Sequence, residues 1–158
     1  STSRRFLSCQ KFTASFPPEA FAYVRNVGAA KHKQMRAGLD QLLEEGVIQS
    51  FELVDGIQTA PLLGAVGQLQ FEVVAYRLTT EYGAEPRMEP APFTQIRWCD
   101  PGIKKSEIER IFLGTGVRLA TDMRGQFVIL FPDKWAADYF IREHPAVKLH
   151  NVSPHAIA

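Results

Sequence analysis

Lys31, Lys33 and Arg36 stand at one end of a helical pattern whose other end carries Asp40, Glu44 and Glu45. That order runs against the helix macrodipole, which favours acids at the start and bases at the end by ~0.3–1 kcal/mol per charge. A helix that opens on bases adds their charge to its own unpaired N–H groups, and the chemistry of that combination is anion binding. With His32 between them, Lys31, His32, Lys33 and Arg36 form the candidate contact set for an anionic partner. The plain alternative is a solvated face whose small penalty the fold tolerates. Glu44-Glu45 mimics a catalytic carboxylate pair only on paper, because adjacent helix residues face different directions. It reads as a solvated helix end.

Gly64-Ala-Val-Gly67 lies between a strand-like and a helix-like stretch, where a nucleotide-binding turn would sit. A dinucleotide fingerprint needs G-x-G-x-x-G there and a phosphate loop needs G-x-x-x-x-G-K-[ST], and neither is present. Gly64 and Gly67 are therefore read as a structural turn that lets helix and sheet approach closely. His32, His144, His150 and His155 show no ligand spacing, and Cys9 and Cys99 are far apart with no CxxC partner. No metal site is expected, and the cysteines read as small buried hydrophobes. His150 and His155 read as solvated side chains near a chain end. No nucleophile elbow is found. Trp98, Trp135, Phe127, Phe131, Tyr139 and Phe140 are numerous enough for a base-stacking platform, but strand and helix spacing assigns such aromatics to the core. No catalytic, cofactor-binding or metal-binding residue is expected, so this chain reads as a binding domain and not an enzyme.

The bulk values agree with that class. In 158 residues, 46% are hydrophobic and 22% charged, with a net charge of +1. The length allows one domain or two small ones. No global field draws the chain to DNA or an anionic membrane, so any such contact must be local. The longest apolar run, Ala60 to Val66, is far short of the ~20 residues of a spanning helix. No signal peptide is visible, and a cytoplasmic location is expected.

The elements that must carry these residues follow from periodicity. Leu7 to Ala14 alternates as a strand, and Pro18 opens a short helix through Val24. Lys31 to Glu45 is a helix with Met35, Leu39, Leu42 and Leu43 inward, stopped by Gly46. Val47 to Val54 alternates, Asp55-Gly56 signals a hairpin, and Ala60 to Val66 returns as a central strand. Gln68 to Tyr82 is a helix ended by Gly83, and Ala84 to Glu89 is an edge strand that tolerates prolines. The order strand, helix, strand, strand, helix, strand is the split βαβ, ferredoxin-like arrangement. After the stiff Glu89–Phe93 junction the pattern partly recurs. Thr94 to Cys99 is a strand. Lys104 to Leu113 is a helix with Ile108, Ile111 and Phe112 inward. A hairpin turns about Asp122–Gly125, a helix is capped by Asp133, and Val147 to Leu149 forms a last strand. The fold class is α+β, with a ferredoxin-like unit over residues 1–90 and a second small α+β unit over 91–158.

Particular residues also resemble a family. Gly38-Leu39, Gln41-Leu42, Glu44-Glu45-Gly46, Gly64, Val66-Gly67, Leu69-Gln70-Phe71, Val73-Val74, Arg77-Leu78 and Glu81-Tyr82 follow the pattern of the C-terminal part of bacterial peptide chain release factor three. The match is strong from Phe16 to Trp98 and loose beyond. More distantly, the chain is similar to the third domain of elongation factor G. The resemblance implies a fragment of a translational GTPase that helps clear class-one release factors from the terminating ribosome. It further implies that GTP and magnesium belong to a domain absent here. Its implied partners are the small ribosomal subunit, through protein and ribosomal RNA, and the remaining domains of the parent. A stand-alone ferredoxin-like domain that binds a small molecule is the alternative.

Overall fold

The structure is a computed structural model and describes residues 16–54, 56 and 60–154. The strand expected at residues 7–14, Cys9, Asp55 and His155 lie outside the described residues. Eight strands pair in the order β4-β1-β3-β2-β6-β7-β5-β8, each neighbouring pair antiparallel. They are β1 (Ala20–Asn26), β2 (Gln49–Leu53), β3 (Leu62–Ala65), β4 (Pro86–Pro90), β5 (Gln95–Cys99), β6 (Arg118–Thr121), β7 (Phe127–Phe131) and β8 (Leu149–His150). Helix α1 (His32–Glu45) follows β1, α2 (Gln68–Thr80) follows β3, α3 (Lys105–Glu109) follows β5 and α4 (Lys134–Glu143) follows β7. The first half has the ferredoxin-like order β4-β1-β3-β2. The second half repeats it as β8-β5-β7-β6, so the two halves join through equivalent edge strands.

Strand β2 makes that join. Gln49 to Phe51 pair with β3, while Glu52 and Leu53 pair with Thr121 and Ala120 of β6. Side-chain alternation then divides the core into three layers. Ala20, Ala22, Val24 and Leu63 point under α1 and α2 with Met35, Leu39, Leu42, Phe71, Val74 and Leu78. Phe21, Phe51 and Leu62 meet Ile96, Trp98, Ala120, Val128 and Leu130 from the second half. On the far side, Cys99, Ile129 and Phe131 are covered by Ile108, Ala137 and Phe140. Burial pushes the Cys99 thiol up to about 12, so it stays a neutral apolar filler.

Three expectations differ. The segment read as a short helix through Val24 is the strand β1. Its alternate residues serve two different cores, so it shows neither a polar face nor strand-like alternation, and its alanines imitate helix preference. β2 and β3 pair only as far as Phe51 and Leu62, short of the tight hairpin that Asp55-Gly56 signals, because β2 then turns to β6. The helix expected from Lys104 to Leu113 closes after one turn, and Phe112 is 83% exposed while Ile108 is buried. Elsewhere the agreement is close. β3 is central and buried along its whole length. Asp133 caps α4 by accepting from the Ala136 N–H at 2.7 Å. Gly46 ends α1 at φ 79°, a left-handed conformation suited to glycine.

Candidate functional site

A cleft of about 970 Å³ runs between the first turns of α1 and the join of β2 with β6. His32, Lys33 and Arg36 line its helical wall together with Arg25 and Asn26 at the end of β1, above a floor of Val24, Met35, Leu39 and Leu63. Asp40, Glu52 and Asp122 also border it. Successive helical positions place His32, Lys33, Arg36 and Asp40 on one side of α1. Lys31 is not among them. It belongs to the short 3₁₀ turn before α1, and its Nζ lies 3.7 Å from Glu85 Oε1 at the surface.

Among the described residues, Lys33 and Arg36 are exposed and make no ion pair, and the first turn of α1 carries no acid. Arg25 is occupied by Glu89, Nε to Oε2 at 2.7 Å. Asp122 is committed to its turn: it accepts from the Arg124 and Gln126 N–H groups at 2.9 Å and from Trp98 Nε1 at 3.2 Å. In the cleft wall Asn26 Oδ1 is buried without a hydrogen-bond partner, and Nδ2 of the same side chain stands 3.5 Å from His32 Nδ1. The arrangement offers two free cations and one waiting acceptor along an apolar floor. It suits an anionic partner with a donor beside its charge.

The acidic end of α1 differs from expectation. Glu44 is exposed, but Glu45 is only 9% exposed. Glu45 holds Arg77 of α2 by two hydrogen bonds, Nη1 to Oε2 at 2.5 Å and Nη2 to Oε1 at 3.2 Å, and receives Gln41 Nε2. Arg77 also reaches Glu81. Part of the unfavourable charge order in α1 is thus answered by α2, and the unanswered part is the basic start.

The two glycines differ as well. A Cβ on Gly64 would stand 2.8 Å from the Phe51 ring and 2.9 Å from Pro18, a close approach that excludes larger residues. Gly67 has room: its nearest neighbour is Gln70 Oε1 at 3.5 Å, and its φ of −157° is open to any residue. What it supplies is the N–H that donates to Gln70 Oε1 at 2.8 Å at the start of α2. His150, expected to be solvated, sits on β8 with Nε2 3.0 Å from Asp100 Oδ1. That contact, with the Gly102 N–H behind it, holds the Asp100 carboxyl below its ordinary value. No group of three metal-binding side chains occurs among the described residues, nor any helix long and apolar enough to cross a membrane.

Sequence reasoning missed Arg25 and Asn26. Both end β1, after its doubly buried residues, and the signal that finds them is the change from apolar to polar after Val24.

The scaffold is a duplicated ferredoxin-like α+β domain with an open, base-lined cleft. Residues 12–141 match the family described as "Class II release factor RF3, C-terminal domain", and the chain belongs to that family. It is 43% identical over 140 residues to the peptide chain release factor 3 of Trichodesmium erythraeum, covering 88% of this chain and 25% of that protein. The same protein of a Cyanothece species is 44% identical and that of Synechococcus elongatus 42%, with the same coverage. The chain spans about a quarter of the length of the curated relatives it matches. The family match continues through the second half to residue 141, well beyond the strong resemblance that ended at Trp98.

Proposed function

We propose that this chain is the ribosome-binding and relay module of a translation-termination GTPase. The parent promotes GTP-dependent release of class-one release factors in the cytoplasm. GTP and magnesium bind in a domain outside this chain, and this chain carries no catalytic step. Residues 1–90 and 91–158 act as two units of one body, held through β2, β6 and the core between them. The observation that carries the reading is the unpaired Lys33–Arg36 edge beside His32, at a helix start that bears no acid. Ribosomal RNA phosphates, or an acidic patch of a small-subunit protein, satisfy such an edge. A second surface suits the remaining domains of the parent. On α2, Leu69, Val73 and Tyr76 are exposed on the side opposite the buried Phe71, Val74 and Leu78, an apolar stripe without bases.

The test is co-sedimentation with ribosomes across a salt series, comparing the unaltered protein with Lys33→Glu/Arg36→Glu. The charge reversal should weaken binding at least tenfold at low salt. If both cations meet phosphates, it should also reduce the slope of log affinity against log salt by roughly 1.5. Equal binding of both proteins at low salt would contradict the reading.

A further inference from the structure

The aromatic residues near the end of the chain separate into two groups. Trp98, Phe131 and Phe140 are at most 2% exposed and belong to the core, whereas Trp135 is 70% and Tyr139 46% exposed. These two, with Arg142, recur at i, i+4 and i+7 on the outer side of α4. The Trp135 and Tyr139 rings stack with centroids 5.2 Å apart and planes 12° apart, and the Arg142 guanidinium carbon lies 5.8 Å from the Tyr139 centroid. Stacking fixes both rings and leaves much of the indole open to solvent. Large aromatics held rigid at a surface are the residue types that anchor interfaces.

The charges around the rings identify the partner. From its cap onward α4 carries Asp133, Asp138 and Glu143 against Lys134 and Arg142, an excess of acid. Asp138 follows Trp135 by one helical turn, with its side chain 56% exposed, and Lys134 approaches it only to 3.9 Å. A phosphate backbone is repelled by such a rim, while a guanidinium is drawn both to the ring face and to the carboxylate. Arg142 already makes the same kind of contact with Tyr139.

We propose that the Trp135–Tyr139 pair is a docking site for a basic protein segment, whose arginine stacks on the Trp135 indole and donates hydrogen bonds to Asp138. This site is separate from the α1 cleft, lies in the helical layer of the second half, and holds whether or not that cleft binds RNA.

Tryptophan emission reads the site directly, because Trp98 is 1% exposed and its Nε1 is bonded to Asp122. A nona-arginine peptide titrated into the chain at low salt should quench Trp135 saturably, and a nona-lysine peptide more weakly. Calorimetry on Trp135→Leu should show no saturable binding of nona-arginine, and Asp138→Asn should weaken it about threefold. A uridine nonamer should leave the emission unchanged. Quenching by the uridine nonamer without quenching by nona-arginine would overturn the proposal in favour of RNA. Undiminished peptide binding by Trp135→Leu would overturn it outright. So would dilution-dependent emission with no ligand present, since the face would then meet a second copy of the chain.

Discussion

At Gly38 the two helices of the first half come so close that no side chain fits between them. A methyl group there would lie 2.5 Å from Leu78 Cδ2 and 2.9 Å from Tyr82 Cδ2, both packed in the core under α1 and α2. Overpacking of this kind costs ~1–3 kcal/mol, which outweighs the higher helix propensity of alanine. Gly38→Ala is therefore expected to lower the melting temperature by several degrees in calorimetry. An unchanged or raised value would show that Leu78 and Tyr82 move aside at little cost. Residues acting locally were legible in the sequence: Asp133 as a cap, Gly46 as a stop, the turn at Asp122–Gly125. Gly64 and Gly67 looked equivalent there, yet only Gly64 is confined, because Phe51 and Pro18 reach it from elsewhere in the chain. Glycine spacing carries no record of what lies opposite.

The two helices of the first half are tied by a polar link. Glu45 ends α1, Arg77 lies on α2, and their bidentate pair is mostly shielded from water. The Arg77 hydrogen bonds hold the Glu45 carboxyl below its ordinary value; burial opposes them, and Gln41 and the Arg77 charge assist. A carboxylate lowered in the folded state contributes stability that is fully present above its unfolded pKa and is lost as pH falls through the folded one. The unaltered protein should thus lose stability as pH falls from about 5 to 3, with exposed Asp100 adding a smaller loss of the same sign. Glu45→Gln should be less stable by roughly 1–2 kcal/mol at pH 7 and should lose less over that acid range. Urea unfolding at both pH values measures this, and parallel curves would refute it. Helix α1 itself was readable because one face is wet and 3.6-residue periodicity survives. β1 was misread because both its faces are covered, and Phe112 was placed inward because the expected helix ended before reaching it.

At the scale of the whole molecule, one βαββαβ plan is used twice and closed face to face over the layer that contains Phe21, Phe51, Trp98 and Val128. The first unit and a partial recurrence were visible in the sequence. The join was not, since two residues of β2 leaving β3 for β6 produce no periodic signal. The candidate contact set was legible as charges that oppose their own helix dipole. Its geometry was not: β1, α1 and the β6–β7 turn converge only in the folded chain, adding Arg25 and Asn26 and leaving Lys31 outside. The central claim is that this cleft edge faces the ribosome. Lysine labelling read by mass spectrometry, with and without bound ribosomes, addresses it most directly. Lys33 should be protected several-fold on binding while Lys105, on the helical layer of the second half, stays reactive. Unprotected Lys33 on a factor shown to be ribosome-bound would contradict the account.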